Sequence, residues 1–78
     1  MITFHRLARN PSVMNGQPCV RGTRIPVSRV LELIGQYSSR EELFLDYPGL
    51  APEDIQEVLD YAALVVKDKI VPLPDKVV

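Results

Sequence analysis

The sequence predicts a small, mainly α-helical domain, in which three short helices with a helix-turn-helix arrangement follow an N-terminal region of short β segments and turns. Three observations predict this fold class. Apolar residues recur at helical spacing in two stretches after residue 26. Prolines and serines stand where helices would begin. The first 25 residues, by contrast, are rich in residues that favour tight turns. The short connection 47–50 between the last two helices is typical of a helix-turn-helix.

The N-terminal region is expected to contain a small β-hairpin. Asn15 and Gly16 are the pair that best suits a two-residue hairpin turn, because both central residues of that turn need positive φ. Short apolar pieces flank the pair, at residues 13–14 before it and residues 19–20 after it. Residues 2–5 are a further candidate strand, and the pair Asn10-Pro11 is a turn signal.

The first helix is expected to begin near Pro26, because proline suits the first helical position, where no backbone N–H is needed. Its apolar residues follow the i, i+3, i+4, i+7 pattern and form one face, which consists of Val27, Val30, Leu31 and Ile34. This face should be the part of the helix that packs in the core.

The second helix is expected to start at a capping box formed by Ser39 and Glu42, with Ser38 and Glu41 as the alternative register. The third starts at Pro52 and can continue to about residue 67, with an apolar face of Ile55, Val58, Leu59 and Ala62. We therefore expect one domain at residues 1–67 and an extended C-terminal arm at residues 68–78, since two prolines exclude a continuous helix there.

Charge is segregated along the 78-residue chain, although the net charge is only −1. Residues 1–40 carry six arginines against one glutamate, and residues 41–66 carry seven carboxylates without a lysine or arginine. This asymmetry indicates either an anionic partner for the front half or charge pairing between the two parts, within one chain or across a dimer. A domain this small has a thin core, so a homodimer that adds buried area is expected.

Composition excludes several classes of protein. The single cysteine, Cys19, excludes an intramolecular disulfide framework, suits a cytoplasmic location and is expected to be a small core residue. No segment approaches the roughly 20 apolar residues of a membrane span, and the first residues lack the apolar region of a signal peptide. His5 is the only histidine, and no cluster of residues offers a metal site. We expect no metal, no cofactor and no catalysis.

The stretch GQPCVRGTRIPV at residues 16–27, followed by SSREELFLDYPGLAPEDIQEVLDYAA, resembles a bacterial and archaeal family called domain of unknown function 433. The family pattern is Gly-x-Pro-x-Ile/Val-x-Gly-Thr-Arg-Ile-Pro-Val, followed by a Ser-x-Glu-Glu-Ile segment, a Tyr-Pro pair and a further helix. The resemblance covers roughly residues 10–66 and is most specific at GTRIPV.

The resemblance implies a homeodomain-like helix-turn-helix fold. Some family members are similar to VapB-type antitoxins, so it also implies an antitoxin that neutralises a PIN-type ribonuclease toxin and in some cases binds its own promoter DNA. Two alternatives stay open: a DNA-binding transcriptional regulator without a toxin, and a protein–protein interaction module with neither partner.

Two positions depart from the family pattern. Tyr37 stands where glycine is common, and a positive φ at a helix C-terminus would cost a bulky residue about 1 kcal/mol, unless Gly35 shifts the cap. Ala51 stands where threonine or serine is common, so the third helix is expected to lose a side-chain N-cap worth about 1 kcal/mol.

The candidate DNA-binding residues are Arg21, Arg24, Arg29, Arg40 and Gln56. Guanidinium groups match phosphate oxygens, although each arginine has a structural role as its alternative. Arg24 is expected to brace the fold against the acidic middle of the chain, and Arg21 to face an anionic surface.

The exposed positions of the third helix would be Glu53, Gln56, Glu57 and Asp60. Phosphates would repel three carboxylates, so insertion of this helix into the major groove is disfavoured, and the carboxylate face suits a basic protein partner better.

The arm supplies the candidate partner-binding residues, Ile70, Val71, Pro72, Leu73 and Pro74. An apolar extended segment can lie in a groove or extend a sheet of a partner. The alternative is that the arm packs on its own domain or frays.

Overall fold

The computed structural model describes residues 4–9, 11–12, 14–69 and 71–75. Two short strands, β1 (Leu7–Arg9) and β2 (Pro18–Val20), precede three helices, α1 (Val27–Gln36), α2 (Arg40–Asp46) and α3 (Pro52–Lys67). The strands pair as a two-stranded antiparallel hairpin. The described residues are thus mainly helical with a small β-hairpin in front, which confirms the predicted fold class at this level.

The hairpin uses a different first strand from the predicted one. β2 pairs with β1, in the register Leu7 to Val20 and Arg9 to Pro18, and not with residues 13–14. Asn15 and Gly16 do adopt the expected positive φ, 57° and 78°, but within a 3₁₀ turn in the loop between the strands. The positive φ predicted for Asn15 and Gly16 is therefore confirmed, but these residues do not form a two-residue hairpin turn. A turn residue does not specify the length of the loop that contains it.

Several expectations for the N-terminal region concern residues outside the described part of the chain. Residues 2 and 3 of the candidate strand at 2–5, Asn10 of the turn pair and Val13 beside the hairpin pair are among them. Phe4 and His5 are described, and they precede β1 without being part of a strand.

A tight corner at residues 21–25 joins β2 to α1. Gly22 has φ of 79°, a conformation that glycine adopts at little cost. The Thr23 hydroxyl donates to the Val20 carbonyl oxygen at 2.7 Å and accepts the Ile25 N–H at 3.0 Å. Pro26 follows with ψ of 155° as the N-cap, so α1 begins one residue later than predicted.

The core lies where α1 is enclosed by β2, α2 and α3. Val27 and Val30 are buried as predicted, but the third buried residue of α1 is Leu33, which is 1% exposed. Leu31 and Ile34, which the periodicity placed on the core face, are half-buried. Since α1 is covered by several elements, its buried surface differs from a single i, i+3, i+4, i+7 stripe.

The start of α2 confirms the predicted cap. The Ser39 hydroxyl oxygen accepts the Glu42 backbone N–H at 3.3 Å, and the helix begins at Arg40. At the preceding helix end, Tyr37 has φ of −90° and donates its N–H to the Leu33 carbonyl at 3.0 Å. The strain predicted for Tyr37 is therefore wrong, because α1 ends in an extended residue and needs no positive φ.

The third helix begins at Pro52, as predicted, and is capped in an unexpected way. Ala51 is the N-cap and has no hydroxyl, but the Asp54 side chain accepts the Ala51 backbone N–H at 2.8 Å. This bond is the carboxylate half of a capping box. Ile55 and Val58 of α3 are buried as predicted, and Leu59 lies at the edge with 37% exposure.

Candidate protein-binding surface

Arg6 joins the start of the hairpin to the first turns of α3. Its Nε donates to Oδ1 of Asp54 at 2.6 Å, and its backbone N–H donates to the Glu57 carboxylate at 3.0 Å. A longer ion pair of 3.8 Å reaches Glu53. The hydrogen bond to Asp54, with the nearby negative charges, raises the pKa of Arg6 above its usual value, so the guanidinium stays charged.

The sequence assigned this bracing role to Arg24, and that assignment is wrong. Arg24 is exposed and makes no hydrogen bond or ion pair with any residue that the structure describes. Asp54, in the first turn of α3, is 5% exposed and partnered by Arg6. A contact between residues 48 positions apart leaves no periodic signal in the sequence.

The corner at residues 21–24 carries two exposed arginines. Arg21 is anchored, because its Nε donates to the His5 carbonyl oxygen at 2.9 Å. With His5, Arg6 and Asp54 it lines a polar recess of about 220 Å³. Arg24 is two residues beyond the turn and extends freely. The corner therefore holds one oriented guanidinium and one unrestrained guanidinium.

The other candidate DNA-binding residues lie on three different helices. Arg29 of α1 is half-buried, and its guanidinium donates to the Tyr47 hydroxyl at 3.5 Å. Arg40 is exposed at the first residue of α2, and Gln56 of α3 donates to Asp60 at 3.1 Å. No hydrogen bond or ion pair within the described ranges joins any two of the five candidates, so the contacts do not assemble them into one site.

An apolar groove of about 390 Å³ lies beside the C-terminal half of α3. Most of its lining comes from β2, α1 and α3, through Pro18, Val27, Leu31, Tyr61, Val65 and Val66. Leu31, predicted for the core face, is half-buried against the core and also lines the groove. Sequence analysis did not identify this groove, because it forms between elements that are distant in the chain.

The described part of the C-terminal arm, residues 71–75, is exposed throughout. Val71 and Leu73 expose 70% and 79% of their surface, and a proline follows each of them. These residues do not pack on their own domain, which was one of the two alternatives to partner binding. Ile70 lies outside the described residues. Exposed apolar side chains on a proline-stiffened segment form a surface suited to protein contacts.

Metal binding, the location of Cys19 and membrane spans were each addressed by the sequence. They contain no group of three or more His, Cys, Asp or Glu side chains placed to hold a metal ion. Cys19 is buried, as predicted for a core residue. None of the helices in the described part of the chain is long and apolar enough to cross a membrane.

These features define a small helical domain with a β-hairpin, an arginine corner and an exposed apolar surface. The chain belongs to the family described as "Protein of unknown function (DUF433)", whose model matches residues 8–62. This match confirms the family that the GTRIPV motif indicated.

The chain is similar to one curated protein and to one solved structure. The chain is 34% identical over 58 residues to the uncharacterized protein Rv2308 of Mycobacterium tuberculosis, a match that covers 74% of the chain and 24% of that protein. It is also similar to the crystal structure of a DUF433 member from Anabaena variabilis, with 32% identity and a TM-score of 0.70. That likeness covers 81% of this chain and 62% of the other. The chain thus spans about a quarter of the length of the mycobacterial relative.

Proposed function

We propose that this protein is a non-catalytic binding module that acts as the antitoxin of a type II toxin–antitoxin system and neutralises a PIN-type ribonuclease. The observation that carries the proposal is the exposed apolar arm. Val71 and Leu73 alternate with prolines, which restrict the backbone, so these exposed apolar residues have little conformational freedom to lose on binding.

The arm supports protein binding because its apolar side chains are exposed and its prolines restrict the backbone. Each apolar side chain is more than two-thirds exposed, and such surface gains free energy when a partner covers it. The exposed carboxylates of α3, Glu53 and Asp60, add charge that suits a basic partner. An enzyme that binds RNA presents such a basic surface.

The experiment is co-expression with the product of the adjacent reading frame, followed by affinity capture and a ribonuclease assay. We expect the wild-type chain to capture and inhibit the nuclease, and the double variant Val71→Asp/Leu73→Asp to lose both effects. Leu45→Asp is the matched control, because Leu45 is 80% exposed but lies on α2. Unchanged inhibition by the arm variant, or no capture by the wild type, would refute the proposal.

Autoregulation by DNA binding is a second proposed function, and the arginine corner favours it. Arg21 is oriented by its bond to the His5 carbonyl, and Arg24 is free of internal partners among the described residues. We further infer that α2 and α3, joined by residues 47–51, form a homeodomain-like helix-turn-helix. The carboxylates of α3 disfavour its entry into the major groove, so the corner would supply the phosphate contacts.

Binding to the chain's own promoter, measured over a series of salt concentrations, tests this second function. Each phosphate contact contributes about 0.9 to the slope of log K against log salt. We expect Arg24→Ala to lower the slope by about that amount. Gln56→Ala is the control for helix insertion and should leave the affinity for the promoter unchanged. Binding that does not respond to salt would exclude this function.

A further inference from the structure

We propose that α3 is a homodimer interface, in which the C-terminal halves of two α3 helices pack antiparallel about a two-fold axis. The starting observation is a stripe of apolar residues that the fold leaves uncovered, on the side of α3 next to the groove. Leu59 is 37% exposed, Ala63 is exposed and Val66 is 67% exposed. Their i, i+4, i+7 spacing places them on one helix face.

The shape of this stripe suits a second copy of the same helix. Its middle is the small Ala63, beside the half-buried Ala62, and its ends are the larger Leu59 and Val66. Two copies that cross at the alanines can approach closely, with Leu59 of each packed against Val66 of the partner subunit. A two-fold axis makes both contacts identical, as a self-complementary patch requires.

Charge identifies the occupant as a second copy. Asp60 and Lys67 lie on the same flank of the stripe at i and i+7, both exposed. When two copies of α3 pack antiparallel, the same flank of each helix lies against that flank of the other. Asp60 therefore faces Lys67 of the partner subunit, and the two-fold axis repeats this pair. Side chains lean towards the N-terminus of their own helix, so these two lean towards each other.

Both charged groups are available for this contact. Asp60 accepts a hydrogen bond from Gln56 through Oδ1 at 3.1 Å, which leaves Oδ2 free. Lys67 forms no ion pair with another residue in the described part of the chain. The arrangement also leaves the two C-terminal arms at opposite ends of the helix pair, so it does not depend on the proposed antitoxin function.

A charge-reversal series tests the proposal. Asp60→Lys or Lys67→Asp alone places like charges together at both symmetric positions, and we expect the dimer Kd to rise about tenfold for each. The double variant Asp60→Lys/Lys67→Asp recreates both pairs with the charges exchanged, so its Kd should return to near that of the wild type. Sedimentation equilibrium of the full chain over a range of concentrations measures each Kd.

Two further variants locate the contact. Ala63→Glu places a charge at the crossing point and should abolish the dimer, whereas Leu45→Asp on α2 should leave the Kd unchanged. Far-UV circular dichroism checks that each variant is folded. We expect all of them to fold, because the substituted positions are exposed. A monomeric wild type, single variants with the wild-type Kd, or a double variant as weak as the single ones would overturn the proposal. Capture of the nuclease is measured in a separate experiment, so the homodimer proposal and the antitoxin proposal can fail independently.

Discussion

Replacement of Leu33 by alanine tests the core that the structure defines. Leu33 is 1% exposed and lies on α1, the helix enclosed by β2, α2 and α3. Removal of a buried leucine side chain to the β-carbon costs about 2–5 kcal/mol. A domain of this length has a total stability of about 4–12 kcal/mol. The substitution should therefore remove a large part of the free energy of unfolding.

The measurement is urea and thermal unfolding followed by far-UV circular dichroism, at two protein concentrations so that subunit dissociation is detected separately. A loss of 2 kcal/mol or more lowers Tm by at least about 8 °C in a domain of this size. Leu31→Ala is the matched control, because this leucine is two positions away on the same helix and only half-buried.

The order of the effects decides between two views of α1. The structure predicts that Leu33→Ala is more damaging than Leu31→Ala, and that Leu45→Ala, at an 80% exposed position, changes stability by no more than about 0.5 kcal/mol. If Leu31→Ala were the more damaging of the first two, the deeper burial described for Leu33 would be wrong.

Three further predictions concern single positions. Gly22→Ala should destabilise by about 1 kcal/mol because of its φ of 79°, whereas Gly35→Ala, in a helix with open space beside it, should stabilise by a similar amount; denaturant unfolding checks both signs. Ser39→Ala should cost about 1 kcal/mol by loss of the α2 cap, and a loss near zero in the same assay would contradict the cap. The Asp46 carboxylate accepts a hydrogen bond from Tyr37, which raises the pKa of that phenol from 10.0 to about 12. A raised folded-state pKa contributes stability that is complete below pH 10 and lost as the pH rises towards 12, so Asp46→Asn should remove this dependence, and ultraviolet titration should then show Tyr37 ionising nearer pH 10.

Local signals in the sequence predicted the parts of the fold that depend on neighbours in the chain. Proline at the first position of α3 and serine before α2 act on backbone groups a few residues away, so both helix starts were found. Asn15 and Gly16 likewise received the correct backbone conformation. The hairpin partner was missed because strand pairing depends on where the loop begins, and no residue in the loop specifies that.

Tertiary contacts leave no comparable local signal in the sequence. The segregation of positive and negative charge left pairing of arginines with carboxylates as one of two alternatives, and no local signal distinguished Arg6 from Arg24. The groove and the uncovered face of α3 depend on how three separate elements converge. Exposure of Val66 could not be inferred from a pattern that marks it simply as apolar.

The position of Arg6 has a consequence for where this domain begins. The segment shared with the family starts at residue 8, but the guanidinium that neutralises the sheltered Asp54 precedes it. Phe4, whose ring meets that of Tyr61 edge-on at 5.6 Å, precedes it as well. A fragment of residues 8–62 would lack Arg6, so the buried Asp54 carboxylate would lose its counter-ion. It would also lack Phe4, so the Tyr61 ring would lose its aromatic contact. We therefore expect a fragment that begins at residue 4 to be more stable than one that begins at residue 8.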